Sequence, residues 1–142
     1  MFIKIALISL SLILSGCAGT GVKSFSSVMT LANSQNGSIF ILRDTGYVGS
    51  GALISVAVNG QSIGEIGNSE TAIGKTVSGV NYVDIRYSGI QGIGISPANA
   101  SFQRLGNENK YFIITTRSSL ISNSIQVLEV SANSFRASLQ QM

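Results

Sequence analysis

The chain has 142 residues, of which only 11% are charged, and nine Lys/Arg against six Asp/Glu give a net charge of +3. Disordered proteins combine few apolar residues with much charge, so a chain that is 44% hydrophobic is expected to fold. The positive charges are scattered singly, which excludes the clustered basic stripe of a nucleic-acid-binding protein. The chain has no histidine, which excludes catalysis by an imidazole base.

The N-terminus has the order of features of a secretory signal. Lys4 precedes an apolar run from Ile5 to Leu14, and the small residues Ser15 and Gly16 lead to Cys17. The run is too short to span a membrane, which takes about 20 apolar residues. This ending resembles the lipobox of bacterial lipoproteins. The resemblance implies that the chain is cut before Cys17 and that the Cys17 sulfur is acylated.

The lipobox resemblance carries further implications for location. Residues 1–16 would be the signal peptide, and the protein would be held in the cell envelope by several acyl chains, because one chain alone binds a membrane only marginally. Ala18, rather than aspartate, follows the cysteine, which in Gram-negative lipoproteins implies the periplasmic face of the outer membrane. Two alternatives stay open: Cys17 is incidental in an ordinary cleaved signal, or the segment is an uncleaved anchor.

Residues 17–37 are predicted to form a lipid-anchored stalk, because this stretch is rich in Gly, Ser, Thr and Asn. Apolar residues recur within it at roughly helical spacing, namely Val22, Phe25, Val28, Met29 and Ala32. Either a short helix or a segment that simply lies against the domain would explain this spacing.

The pattern from Ser38 onward predicts a succession of strands. Ile39 to Leu42 is apolar on both parities, which favours a strand covered on both faces. Ala52 to Val58 alternates, and Asn59-Gly60 follows it as the pair that a type I′ hairpin turn requires. Asn81 to Tyr87 alternates as well, and the residues that face inward are Val83, Ile85 and Tyr87.

Tyr111–Thr116 and Ile125–Val130 are two further apolar runs that predict strands as clearly as Ile39–Leu42 does. Less regular patterns predict strands over Gln61–Gly67, Thr71–Val77 and Phe102–Leu105, with a short edge strand within Gly89–Pro97. Ser131 to Gln141 has helical spacing, and Ser131 is a suitable cap, although a frayed tail fits equally. Seven or eight short strands separated by Gly and Asn turns favour an all-β sandwich over residues 38–142, with a small barrel as the alternative.

Several motifs appear together in a familiar order. The strand Ile39–Arg43 is followed by Gly49–Ala52, by Val56–Ile66 with its VNGQSIGEI ending, by Ser78-Gly79 and by Val83–Ile85. This order resembles a family of small bacterial lipoproteins built on a domain of unknown function, which share a valine and glycine pattern with PEGA-type surface domains. The resemblance spans about Ser38 to Val130. It implies an immunoglobulin-like sandwich on a lipid tether, and it implies no catalytic residue.

The chain departs from that family at two places. Relatives usually carry a proline in the turn at Ser78-Gly79, and a histidine often stands at the position of Asn81 or Tyr82. Neither is present here, so the resemblance transfers no activity that would use that histidine.

The remaining side chains predict no enzyme, no metal site and no cofactor. A Ser-His-Asp triad lacks its base, zinc lacks its usual His and Cys ligands, and the acidic residues are widely separated. Gly46–Gly51 lacks the following helix that a phosphate-binding loop needs. A Ser/Lys enzyme is the third hypothesis. It would require buried lysines beside an exposed serine, whereas Lys75 in a predicted strand and Lys110 after a turn are interpreted as solvated.

The candidate partner-binding residues are Tyr82, Asp84 and Arg86, which share the outward face of one predicted strand. An exposed aromatic side chain on a rigid sheet can anchor a partner. Arg43 with Asp44, and Asp84 with Arg86, are interpreted as ion pairs on strand surfaces.

The sequence thus predicts a lipid-anchored envelope protein that binds or scaffolds a protein partner. The alternative is a carrier or sensor of a small apolar ligand, since sheets can enclose a cavity.

Overall fold

The computed structural model describes residues 19–46 and 51–142. These residues form eight strands and two α-helices, which confirms the predicted all-β sandwich with a short C-terminal helix. In chain order the elements are α1 Phe25–Ser34, β1 Ser38–Arg43, β2 Ile54–Val58, β3 Gln61–Ile66, β4 Thr71–Lys75, β5 Gly79–Tyr87, β6 Ala98–Arg104, β7 Lys110–Ser118, β8 Asn123–Val130 and α2 Ala132–Gln140.

The strands form two four-stranded sheets rather than one closed barrel. Sheet A has the order β4-β1-β7-β8, and sheet B has the order β3-β2-β5-β6. Most neighbours are antiparallel, but β1 runs parallel to β7, with Ile39 opposite Lys110. A side-chain bond supports this long-range pairing, because the Ser38 N–H donates to Asn109 Oδ1 at 3.0 Å.

Strand β1 is buried along its whole length, as its apolar residues on both parities predict. Ile39 and Ile41 face sheet B in the core between the two sheets. Phe40 and Leu42 face the other way, into a second core on the outer side of sheet A. One strand therefore contributes to both cores, and this explains why it carries no polar parity.

The second core forms because both helices pack on the outer face of sheet A. Val28 of α1 and Phe135 and Leu139 of α2 are buried there. Each helix is capped by a serine, since Ser24 and Ser131 accept hydrogen bonds from backbone N–H groups three residues later. The cap predicted at Ser131 is confirmed.

The segment before α1 is fixed to the sandwich. The Thr20 N–H donates to the Glu65 carbonyl oxygen at 2.8 Å, and Val22 forms an antiparallel bridge with Thr71. Part of the predicted stalk is therefore a helix, and it also lies against the domain. The predicted boundaries of the signal peptide and stalk stay predictions, because residues 1–18 lie outside the described part. Neither described helix has the length and hydropathy needed to cross a bilayer.

Two predictions about local backbone have opposite outcomes. The hairpin at Asn59-Gly60 is confirmed, with φ of 51° and 79°. The edge strand expected within Gly89–Pro97 is wrong, because this stretch forms a short 3-10 helix and loop, and β6 begins only at Ala98. Gly89 and Gly94 have φ of 69° and 83°, a left-handed conformation that an extended strand does not use.

Candidate functional site

The outer face of sheet B, which we call the open face, is the broad strand surface that no helix covers. Both helices pack on the outer side of sheet A, so the outward side chains of β5 and β6 remain exposed. Strand β5 is one of the two inner strands of this sheet, and it pairs with β2 on one side and with β6 on the other. A side chain on β5 is therefore held by strands on both sides.

Tyr82, Asp84 and Arg86 all lie on the open face, as their parity predicts. All three are exposed, and 56% of the Tyr82 side chain is accessible to solvent. No ion pair joins Asp84 to Arg86 in the described residues, in contrast to the sequence interpretation. The three carboxylate–amine pairs found there are Lys23–Glu70, Lys110–Glu108 and Lys110–Glu129.

Most residues opposite these side chains are small. Ser101 lies across from Tyr82 on β6, and Asp84 lies between Ala57 of β2 and Asn99 of β6. Ser55 lies across from Arg86. Since side chains directly opposite each other in a sheet would normally pack together, these short partners leave the Tyr82 ring uncovered.

The backbone at Tyr82 is held by the β2–β3 turn. The Tyr82 N–H donates to Asn59 Oδ1 at 2.9 Å, and the Asn59 N–H donates to the Tyr82 carbonyl oxygen at 2.9 Å. The Asn59 side chain also donates to Asn81 Oδ1 at 2.9 Å. An ordered backbone lowers the entropy lost when the ring is immobilised by a partner.

Asn81 points the opposite way and is fully buried. Its side-chain amide donates to the carbonyl oxygens of Val77 and Gly79 at 2.8 and 3.0 Å, and its oxygen accepts from the Val77 N–H at 2.9 Å. Asn81 is thus a buried side chain that holds the β4–β5 turn. Sequence reasoning had no signal for this role, because a lone Asn in a strand carries no pattern.

A polar cluster borders the open face near Arg86. Glu65 Oε1 accepts from Ser88 Oγ at 2.6 Å and from Ser55 Oγ at 3.1 Å, and the two serine oxygens are 2.7 Å apart. The carboxylate and both hydroxyls therefore use much of their hydrogen-bonding capacity within the cluster.

Arg43 corrects the interpretation of a surface ion pair with Asp44. Its side chain is completely buried, and it donates to Thr45 Oγ1 and to the Ile66 carbonyl oxygen, each at 3.0 Å, and to the Ala52 carbonyl oxygen. Carbonyl oxygens at the end of the sandwich thus find a donor. Sequence reasoning missed this because an arginine at a strand end is more typical of an exposed position.

Arg43 shares its surroundings with the buried carboxylate of Glu70. Burial lowers the pKa of Arg43 from its usual value, and interactions with Tyr87 and Glu70 oppose this effect. Glu70 accepts from the Gly67 N–H at 2.8 Å, and Lys23 Nζ lies 3.4 Å from its other oxygen. The charges at this end of the sandwich therefore connect the β3–β4 turn to the N-terminal segment.

The predicted chemistry can be compared with the described side chains. Lys75 Nζ donates to Ser38 Oγ at 3.1 Å, but the serine is buried and the lysine exposed. This is the reverse of what a Ser/Lys enzyme would require. Within residues 19–46 and 51–142, no three His, Cys, Asp or Glu side chains are grouped to hold a metal. Cys17 and most of Gly46–Gly51 lie outside these residues.

An open groove of about 390 Å³ runs along the seam between the edge strands β3 and β4. Ile63 of β3, Ile73 of β4 and Leu31 of α1 contribute apolar side chains to it, and Thr20 to Val22 form one of its ends. A groove of this size falls in the range of small-molecule sites.

No family model matches the chain, and no curated protein matches it. Among solved structures, the chain is similar to an NMR structure of a protein from Eubacterium rectale. The two share 14% sequence identity with a TM-score of 0.44, over 70% of this chain and 93% of that one.

Proposed function

We propose that the protein is a lipid-anchored module of the cell envelope that binds a protein partner through the open face. Acylation of Cys17 would hold it in a membrane, and in a Gram-negative cell this would be the periplasmic face of the outer membrane. The module acts by placement and recognition rather than by catalysis, and it needs no cofactor.

The observation that carries this proposal is the exposure of Tyr82 on an inner strand of the only helix-free outer sheet surface in the described residues. Tyrosine is enriched among residues that dominate binding energy, because it buries a large apolar ring and retains a polar hydroxyl. Asp84 and Arg86 lie beside it on the same strand. Their opposite charges supply polar contacts that would set the orientation of a partner.

The proposal is tested by chemical crosslinking in native membranes followed by affinity capture. We expect Tyr82→Ala to reduce recovery of the crosslinked partner by about tenfold or more, because truncation of a dominant interface residue costs about 2 kcal/mol. Leu105→Ala is the matched control, since Leu105 is also an exposed apolar side chain but lies in the β6–β7 turn. Its recovery should equal that of the wild type.

Two results would contradict the proposal. Equal capture by wild type and Tyr82→Ala would remove the open face from recognition. We expect only Cys17→Ser to appear in the soluble fraction. Recovery of the wild type from that fraction as well would refute the lipid anchor.

The groove beside β4 supports the alternative of a carrier for a small apolar ligand. Its apolar lining and volume suit a short hydrocarbon chain better than a folded partner. Native mass spectrometry of the detergent-extracted protein separates the two functions. A carrier would show a reproducible added mass, whereas a partner-binding module would show the mass of the lipidated chain alone.

A further inference from the structure

Four large apolar side chains are almost fully exposed, which is unusual for a small sandwich. Ile90 and Ile93 are 84% and 79% accessible, and Leu120 and Ile121 are 106% and 96% accessible. They are the most exposed large apolar residues in the described part of the chain. Exposed apolar groups that gather in one region mark protein or membrane contacts more often than isolated ones do.

All four residues lie at the same end of the sandwich. Ile90 and Ile93 are in the β5–β6 connection, and β5 reaches this end with Tyr87 opposite Ile54. Leu120 and Ile121 are at the tip of the β7–β8 hairpin. Because β7 is parallel to β1, the C-terminal ends of both strands lie at the same end of the sandwich. The hairpin tip therefore lies at the end where Arg43 closes β1.

The polypeptide also enters the sandwich at this end, which we call the entry end. Thr71 begins β4 there, opposite Leu42, and bridges Val22. Gly19, three residues before Val22, packs against Glu70 and Gly67 of the β3–β4 turn. The approach is so close that a Cβ atom added to Gly19 would lie 2.0 Å from Glu70 Oε2. The chain that leads back to Cys17 therefore leaves from the β3–β4 turn.

We propose that the entry end lies directly on the lipid bilayer, with the tips of the β5–β6 and β7–β8 connections inserted among the lipid headgroups and upper acyl chains. The inference rests on the proposed acylation of Cys17. It adds an orientation, because acylation of Cys17 by itself does not specify which surface of the domain faces the bilayer.

The length of the tether favours lipid as the occupant of this surface. Two residue steps separate Gly19 from Cys17, and they span at most about 7 Å. A flexible 20-residue stalk would instead give an end-to-end distance of about 25 Å. A four-stranded sheet is only about 14 Å wide, so the apolar tips on the far side of the entry end stay within reach of the bilayer that holds Cys17.

The composition of the two tips also suits a membrane interface. Residues 88–97 and 118–124 contain no charged side chain, so insertion would carry no cost for burying a charge. Arg117 immediately precedes the hairpin tip, and it is exposed. A cation at that level would attract the anionic headgroups of a bacterial membrane.

The orientation has a direct consequence for the open face. Strand β5 runs toward the entry end, from Gly79 to Tyr87. If the sandwich stands on this end, its strands rise from the bilayer surface. The Tyr82 ring then points parallel to the membrane. A partner in the same compartment can reach that ring without displacing lipid.

Site-specific labelling of the lipidated full-length chain tests the proposal. Cys17 is the only cysteine, and its acylated sulfur would not react, so an introduced thiol can be labelled alone with an environment-sensitive fluorophore. The variants are Leu120→Cys and Ile93→Cys at the entry end. Leu105→Cys is the control, because Leu105 is 69% exposed in the turn at the opposite end.

The proteins are reconstituted in vesicles of phosphatidylethanolamine and phosphatidylglycerol with a quencher attached to the lipid chains. We expect the labels at positions 93 and 120 to show a blue shift and quenching, and the label at position 105 to show neither. Equal, water-like emission at all three positions would overturn the orientation. Protection at positions 93 and 120 in native membranes but not in these vesicles would overturn it too, since a protein would then cover the entry end.

The same preparations separate failure of this inference from failure of the proposed function. Mass spectrometry of the unlabelled chain reports the acyl groups on Cys17. If the chain is acylated but the labels at positions 93, 105 and 120 give the same emission and quenching, only the orientation is refuted. A chain without acyl groups would refute the anchor and the orientation together.

Discussion

Asn81 shows how much of this structure depends on one buried amide. Its oxygen and nitrogen both have partners in the turn that joins β4 to β5 and in the Asn59 side chain. A buried polar group that loses its partner costs about 1–3 kcal/mol. The loop at Val77 and the backbone at Tyr82 therefore depend on the same residue.

Replacement of this amide by a side chain of similar size is expected to be costly. Asn81→Leu should lower the free energy of unfolding by about 1–3 kcal/mol, because the Val77 N–H and the Gly79 carbonyl oxygen lose the bonds that the buried Asn81 amide supplies. Urea denaturation followed by far-ultraviolet circular dichroism measures the change. Asn99→Leu, on the exposed side of β6, should change it by no more than about 0.5 kcal/mol. Similar losses for both variants would contradict the structural role of Asn81.

Single residues also mark the limit of sequence reasoning. The outward parity of Tyr82 and the inward parity of Val83 follow from alternation alone, so the candidate site could be predicted. The burial of Arg43 could not, because it depends on carbonyl oxygens of Ala52 and Ile66 that the fold brings to the guanidinium. The exposure of Leu120 and Ile121 could not be predicted either, because they lie in a stretch that is polar on average.

At the scale of elements, the turn between β6 and β7 is held by charge. Glu108 accepts from the Leu105 N–H at 3.1 Å, and Lys110 Nζ lies 3.1 Å from both Glu108 and Glu129. The bond from the Leu105 N–H, followed by that from Lys110, lowers the pKa of Glu108 below 4.5. Burial lowers the pKa of Lys110, but its bonds to the two glutamates outweigh this effect and raise it above 10.5.

The signs of these shifts fix the pH dependence of the turn. Since the folded-state pKa of Glu108 lies below its unfolded value, its contribution is complete above about pH 4.5 and disappears as the pH falls through the folded-state pKa. The raised pKa of Lys110 gives a contribution that is complete below about pH 10.5 and is lost above it. We expect Glu108→Gln to lower the urea midpoint at pH 7 and to have a smaller effect at pH 3. An equal difference at both pH values would exclude this carboxylate as a source of acid sensitivity.

The elements themselves were predictable to different degrees. Alternation located β5, and the Asn59-Gly60 pair located the β2–β3 hairpin, because both signals are local. The parallel pairing of β1 with β7 was not predictable, since two apolar runs without a polar parity carry no information about register. The missing strand within Gly89–Pro97 has a related cause: glycine permits a strand and a turn alike, and only the fold selects between them.

At the scale of the whole molecule, strand β1 joins the packing of the helices to the packing between the two sheets. The rings of Phe135, Phe40 and Tyr111 meet in the second core, with centroid distances of 5.1–6.5 Å. Phe40 belongs to β1, the same strand that fills the core between the sheets. Loss of α2 would therefore expose the outer side of strand β1.

We expect Phe135→Ala to lower the free energy of unfolding by about 3–5 kcal/mol and to keep a single transition. Circular dichroism and tyrosine fluorescence should give coincident urea curves, as a two-state domain requires. Leu128→Ala is the control, because Leu128 is 48% exposed on β8 and its truncation should cost far less. Separate transitions for the two probes would show that the helices are peripheral to stability.

The pairing of β1 with β7 also sets the order in which this protein can be completed during synthesis. Ser38 bonds to Asn109, which is 71 residues later in the chain. The edge of β1 that pairs with β7 therefore has no neighbour until most of the polypeptide has been made. Long-range pairing of this kind slows folding, and an unpaired apolar edge is a template for aggregation. A fragment that stops before Lys110 would expose this edge permanently, and we expect it to aggregate where the full chain stays monomeric.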